Sequence, residues 1–385
     1  MLRISVGFTL VVGLLSAVPS APAAADGASA SIRDPNPGSD NVLYAVDGSS
    51  AQDVWAVGST GDAGPAETFI VHWDGGAWAR VPSPNGGPTS GGNYLQAVSV
   101  DSATDAWAVG FWQAPGAFRP LAARWDGDRW RRVGVPNVGK ESWLSSVSAL
   151  APDDVWVTGV SFDHGLQLLL LHWDGVSWTQ SPPPGFRPSN YVGCQAYVDG
   201  TETSLWVAGN KLLPGRRRAT VSLRWSGSEW KQVGMPDPGQ DPCISAVAVV
   251  GPTDVWAVGN TTRASGQART LTMHWDGAAW RPVHSPSPDR WTYATLGGVD
   301  GSAADDVWAV GEFGDPFRLI TMRWNGVEWQ RIPVRTPARA DSAFLADVFA
   351  PSRTEAWAVG NYSPDGTGGA RVLLLHWDGT HWSRT

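Results

Sequence analysis

The apolar positions of this chain fall in short, strand-length runs with no helical period. The run LQLLLLHW at residues 166 to 173 has no polar face, so a strand built from it must be covered on both sides. Pro and Gly interrupt the sequence every thirty residues or less, which leaves little room for helices. One phrase, DVWAVG around Trp55, returns as variants at Trp107, Trp156, Trp206, Trp256, Trp308 and Trp357, seven copies with a period near fifty. Each copy is followed by [HR]-W-[DSN]-G-x-x-W. The paired tryptophans are Trp73/Trp78, Trp125/Trp130, Trp173/Trp178, Trp225/Trp230, Trp275/Trp280, Trp324/Trp329 and Trp377/Trp382. The two phrases account for 21 of the 24 tryptophans, so tryptophan is here a repeat residue.

Each unit reads as four strands. Sheets apolar on both faces are covered when they stack radially, and the pattern predicts an all-β, seven-bladed β-propeller of four-stranded antiparallel blades. Spacing separates its two faces. Leu43, Leu95, Leu144, Cys194, Ile244, Leu296 and Leu345 each precede the second-strand tryptophan by twelve residues, and the third- and fourth-strand tryptophans stand five apart. The 1–2 and 3–4 connections are therefore uniform. The 2–3 and 4–1 connections vary in length, lie together on the opposite face, and form the surface where binding is expected. Asp-Gly in the second phrase suits the tight turn between strands three and four, with its tryptophans filling the gaps between blades. The residue before the first tryptophan alternates: His72, Arg124, His172, Arg224, His274, Arg323, His376. Either type can pair with a carboxylate such as Asp53 or Asp105 on the neighbouring strand.

The first residues change the picture outside the repeat. Arg3, an apolar run to about Val18 and an A-x-A site at Ala23 to Ala25 read as a signal peptide over residues 1–25. The mature chain is then secreted, with a tail at 26–40 that helps close the ring and one propeller domain at 41–385. The formal charge of −8 argues against nucleic acid as a partner, no further stretch reaches membrane-span length, and a monomer is expected. In an exported chain the two cysteines, Cys194 and Cys243, are expected to form a disulfide between adjacent inner strands.

The order W-x-x-V, L-x-x-V-x-V, D-V-W-A-V-G, W-D-G-x-x-W resembles the tectonin-type repeat. It is more loosely similar to the Asp-box repeats of sialidase-like propellers, whose turn is one residue longer. The tectonin resemblance covers residues 41 to 385 and implies recognition of glycans or microbial surfaces. Catalytic signatures are sparse. QRIPVR at residues 330 to 335 mimics a sialidase Arg-Ile-Pro motif but falls where other blades write a fourth strand. No H-E-x-x-H, Cys-x-x-Cys or G-x-S-x-G occurs, so no catalytic residue, metal or cofactor is assigned. Residues outside the repeat mark the candidate ligand site: Trp112, Trp143 and Trp291, with Tyr191, Tyr293 and Phe317 nearby and Arg290 and Glu141 as polar companions. Exposed aromatic rings stack on sugars or anchor protein partners. The expectation is a non-catalytic module that binds an extracellular glycan or cell-surface protein. The alternatives are a polysaccharide-cleaving propeller (glycosidase or lyase), for which Asp341, Glu141, Arg119 and Arg318 would have to converge at the channel mouth, and a structural scaffold.

Overall fold

The computed structural model describes residues 40–385 apart from 62–63, 88–90, 164, 182–194, 214–217, 289–292 and 365–368. Its strands, β1–β28, form seven four-stranded antiparallel sheets, each of four consecutive strands. This is the seven-bladed propeller that the repeat predicts. Blade one is β1 (Asp40–Ser50), β2 (Asp53–Gly61), β3 (Glu67–Trp73) and β4 (Trp78–Val81). The first strands of neighbouring blades pack together and ring the central channel. They are β1, β5 (Asn93–Ser102), β9 (Glu141–Ala151), β13 (Tyr197–Thr201), β17 (Gln240–Gly251), β21 (Ala294–Ala303) and β25 (Ala340–Ser352).

The repeated tryptophans make the inter-blade core. Trp55 of blade one lies 4.8 Å from Trp125 and edge-on, at 5.3 Å and 81°, to Trp130 of blade two. The same three-ring contact recurs at every boundary, through to Trp357 against Trp73 and Trp78 of blade one. Tilted and edge-on pairs of this kind add about 0.5–1.5 kcal/mol each beyond area burial. The W-D-G-x-x-W phrase is thus scaffold. Asp74 Oδ1 accepts the Gly76 and Ala77 amides, both at 2.9 Å, and Gly75 takes φ +88°, the left-handed value a tight turn needs.

The alternating His/Arg position has one structural role. The residue lies on the second-strand tryptophan of its own blade, with His72 stacked on Trp55 at 4.0 Å and Arg124 over Trp107 at 5.4 Å. In six blades it also bonds the acid two residues before that tryptophan. His72–Asp53, Arg124–Asp105, His172–Asp154, His274–Asp254 and Arg323–Asp306 span 2.5–2.8 Å, and His376 meets Glu355. Both side chains offer a flat ring or fork and an N–H to the same pocket.

The twelve-residue spacing fails in blade four. In blades one, two, five, six and seven the first hairpin carries one register shift after the anchor and one before the turn, as between Leu43 and Ala45 and between Gly48 and Ser50. Blade four has neither: Tyr197 to Thr201 pair without interruption with Ala208 to Ser204. Two fewer residues are needed, so Ala196 rather than Cys194 lies against the glycine of the phrase, Gly209. This corrects the cysteine expectation. The blade-four anchor is Ala196, and Cys194 lies outside the described residues, so a bridge between adjacent inner strands does not follow from the spacing. Cys243 sits in β17 opposite Asn260, and no free cysteine occurs among the described residues.

Each blade is completed by its own four strands, so the ring closes by blade-to-blade contact. Leu43, Val46, Val54, Phe69 and Trp78 of blade one pack with Trp357, Val359, Val372 and Leu374 of blade seven, and Trp78 Nε1 donates to Thr385 Oγ1 at 3.1 Å. The closing tail expected at 26–40 lies outside the described residues up to 39. The signal peptide expected at 1–25 lies outside them entirely.

Candidate functional site on the variable face

The 1–2 hairpins leave two residues between strands in every blade, whereas the 2–3 loops run from two residues, after β6 (Asp105–Ala114), to six, after β26 (Glu355–Pro364). The variable face is therefore where the sequence placed it. Its chemistry turns on one position, the residue after the second-strand glycine. It is Ser59, Phe111, Val160, Asn210, Asn260, Glu312 and Asn361 in blade order. Where it is Asn it can tie the next blade. Asn361 Oδ1 accepts the Leu43 amide at 2.9 Å while its Nδ2 donates to the Leu43 carbonyl at 3.3 Å. Asn210 makes the matching pair with Ile244 and Pro242, at 2.7 and 2.8 Å.

In blades two and three the position is apolar, and an aromatic cluster replaces the tie. Phe111 stacks on Tyr94, its cross-strand partner, at 5.0 Å and 29°. Phe118 meets Phe111 edge-on at 5.4 Å and Trp143 at 6.0 Å. Phe111, Trp143 and Val160 are buried, and Tyr94, Phe118 and Leu166 pack on them half-buried. This group is separate from the tryptophan core of the same cleft and closes its mouth on the variable face. Its rim is polar. Half-buried Glu141 opens β9, the Arg119 guanidinium donates to the Lys140 carbonyl at 2.7 Å, and Lys140 Nζ stands 3.9 Å from Asp163.

Of the residues singled out from sequence, Trp143 and Glu141 meet at this mouth, but Trp143 is only 7% exposed and serves as its floor. Trp112 faces the other way, into the cleft between blades one and two. Gly86 and Gly87 lie so close to its indole that a Cβ on Gly86 would sit 2.2 Å from the ring, so the 4–1 loop covers it. Trp291, Arg290 and Tyr191 lie outside the described residues. Sequence reasoning missed Tyr94, Phe111 and Phe118. The signal was available: F and V stand after W-A-V-G and W-V-T-G where five other blades write S, N or E.

Tyr293 lies at a second place on this face, in blade six. Its ring is 5.4 Å from Phe317 and its hydroxyl is 3.5 Å from Glu312 Oε1. Burial pushes the Glu312 carboxyl up to about 8, against the opposing pull of the Tyr293 hydrogen bond, so the group is largely a neutral acid near pH 7. Burial and the Glu312 charge raise the Tyr293 phenol well above its usual range. The charged residues that an enzyme would need at the channel mouth are otherwise engaged as straps. Arg119 holds Lys140, and Arg318 donates to the carbonyls of Phe317 and Asp341 at 3.1 and 3.2 Å. Arg331 lies in β24 (Trp329–Ile332), 5.1 Å over the Phe313 ring, as an ordinary fourth-strand residue. No cluster of three or more metal-ligating side chains occurs among the described residues.

No known family's sequence profile matches the chain, and no curated protein matches it. Among solved structures it is similar to a polysaccharide lyase of family PL25, an ulvan lyase, with 11% identity, 90% of this chain and 96% of that chain covered and a TM-score of 0.58. It is more distantly similar to the fucose-specific lectin from Aleuria aurantia (14% identity, 75% and 92% covered, TM-score 0.46) and to YCF48 bound to D1 peptide (16%, 75% and 80%, 0.47). At these identities the likeness is one of fold, and what the chain shares with known proteins is the propeller itself.

Proposed function

We propose that this chain is an exported recognition module that binds a glycan through the mouth of the cleft between blades two and three. The observation that carries the reading is the Tyr94–Phe111–Phe118–Trp143 cluster. Two of its rings are half-open above a rigid floor, with charged and carbonyl groups at the rim. Such a surface presents apolar area to the flat face of a sugar ring and hydrogen-bonding groups to its edge. The leader-like residues 1–25 are the basis for export. Binding of residues 26–385 to a glycan array and to insoluble polysaccharides tests the reading. A Tyr94→Ala/Phe118→Ala variant, with its fold checked by circular dichroism, is expected to lose at least about tenfold in affinity, the loss of roughly 1.4 kcal/mol. Unchanged binding by the folded variant removes the site from this mouth.

A second reading, a polysaccharide-cleaving enzyme, is favoured by one observation: a neutral carboxyl facing a tyrosine hydroxyl at Glu312 and Tyr293, the kind of pair that holds a proton in reserve near pH 7. Release of reducing ends or unsaturated sugars from uronate polysaccharides, abolished by Glu312→Gln, is the outcome that establishes it.

A further inference from the structure

The seven inner strands carry nine Asp or Glu residues and no Lys, Arg or His. Four of these acids accept an inner-strand amide of a neighbouring blade. Asp47 Oδ2 accepts the Val100 amide of blade two at 2.7 Å. Asp199 Oδ2 accepts Val249 of blade five at 2.7 Å. Asp300 Oδ2 accepts Ala350 of blade seven at 2.6 Å, and Asp347 Oδ2 accepts Val46 of blade one at 3.0 Å. Asp47 and Asp347 also accept their own chain's next amide through Oδ1, at 2.8 and 2.9 Å. Three of the clasps are consecutive around the ring, six to seven, seven to one and one to two, and the middle one is the seam between the chain's ends. At two other boundaries a hydroxyl makes the corresponding tie: Ser99 Oγ accepts Ala149 of blade three at 3.0 Å, and Ser146 Oγ exchanges bonds with Val198 of blade four.

We propose that the carboxylates are proton-operated clasps, which tighten the ring on acidification and loosen the arc from blade six to blade two as the pH rises. A neutral carboxyl still accepts the neighbouring amide through its carbonyl oxygen, and protonation removes the repulsion among the four. What faces them supports this. Asp300 and Asp199 both push on Asp47 and on Asp347, although they stand on other blades, and Asp306 pushes on Asp300. Tyr197, itself raised to about 12, faces Asp347. The amides of Val100, Val249, Ala350 and Val46, with the clasps' own Gly48, Gly200, Gly301 and Val348, are the groups that hold the charged form. No cation faces the belt from any inner strand. Burial is the largest cause and outweighs the opposing amides, and the repulsion adds to it. The carboxyls stand at about 7 for Asp199, about 6 for Asp300, about 7 for Asp347 and well above the ordinary range for Asp47. Each folded-state value lies above the unfolded one, so the folded ring binds more protons between about pH 4 and 7. The stabilisation is complete below that window and is lost as the pH rises through it.

Amide hydrogen exchange on the full chain at about pH 5 and about pH 8, corrected for intrinsic rates, is the test. Val46, Val100 and Ala350 are expected to lose about tenfold or more in protection at the higher pH, the equivalent of one pKa unit. Ala149, held by serine, keeps its protection. Asp47→Asn/Asp300→Asn/Asp347→Asn keeps the acceptor and removes the charge, so it is expected to abolish the difference. Equal change at Ala149, or the same pH response in the variant, overturns the proposal. If the triple variant does not fold, Asp300→Asn alone decides. It is expected to restore protection at Val46 and Val100 at about pH 8, and no gain there overturns the proposal.

Discussion

At the scale of single residues, one atom can decide a position that looks uniform in the repeat. The glycine of W-A-V-G stands where the bulged inner strand crosses closest. A Cβ on Gly58 would lie 1.8 Å from the Val42 carbonyl oxygen, and one on Gly110, Gly259, Gly311 or Gly360 would lie 1.9–2.2 Å from its own neighbour. In blade four, without the bulge, the nearest atom to the same Cβ on Gly209 is 3.0 Å away, the Ala196 Cα. Gly58→Ala is therefore expected to cost about 2–3 kcal/mol through backbone displacement, and Gly209→Ala less than about 1 kcal/mol. Urea midpoints of the two variants check this, and equal losses would refute the link between bulge and glycine. The missing bulge also explains why counting residues misled: DVWAVG and SLWVAG read alike, but the strand before them is two residues shorter in blade four. Sequence spacing locates the tryptophan, and only pairing shows which residue meets the glycine.

At the scale of strands and turns, the repeat was legible because each unit buries both faces with the same large rings, which forces one period and one set of spacings. The cap on each second-strand tryptophan follows the same logic. Blade four again departs, with Ser204 in place of the acid. Arg224 lies 5.5 Å over Trp206, and Ser204 Oγ instead accepts the Trp206 indole N–H at 3.2 Å. Asp105 and Asp306, buried at the equivalent place, each pair with an arginine at 2.5 and 2.6 Å. Ser204→Asp is expected to raise stability by roughly 1 kcal/mol by giving Arg224 its partner. His172→Arg is expected to change stability by less than about 1 kcal/mol, because either side chain fills the cap. Thermal midpoints decide both, and destabilisation by Ser204→Asp would show that the pairing does not carry over to blade four. The candidate site was less legible for a physical reason. Trp112 and Trp143 leave the repeat as odd tryptophans should, but adjacent residues of a strand point into different clefts. Trp112 turns towards blade one, while Phe111 and Trp143 meet in the next gap. An odd residue shows that something local happens. The pair it makes depends on strand parity and on loops such as Gly86–Gly87, which a repeat does not encode.

At the scale of the whole molecule, the ring has one boundary where the covalent chain is missing, and it is built like the others. Trp357 enters the Trp73/Trp78 pair as Trp55 enters Trp125/Trp130. Asn361 holds Leu43 as Asn210 holds Ile244, and the Asn41 amide donates to the Ala370 carbonyl at 2.9 Å as the Asn93 amide does to Ala66 at 2.7 Å. If closure resides in these contacts, the position of the chain ends is immaterial. A circular permutant tests this. β28 (Trp382–Arg384) ends and β1 begins on the variable face, the same relation as β24 and β25, which residues 333–339 connect. A flexible linker of comparable length, about eight residues, can therefore join Thr385 to Asp40. New ends between Ala264 and Ser265 fall in an exposed turn of blade five, where opening the chain is best tolerated. The permutant is expected to fold with the same circular dichroism spectrum and a thermal midpoint within a few degrees of the parent. A large loss would mean that closure needs residues before Asp40 in a role that a neutral linker does not fill, as the sequence reading of the 26–40 tail anticipated. Retained stability would place closure in the tryptophan circle, which every other boundary repeats, together with the Asn clasp and the Asp347–Val46 bond.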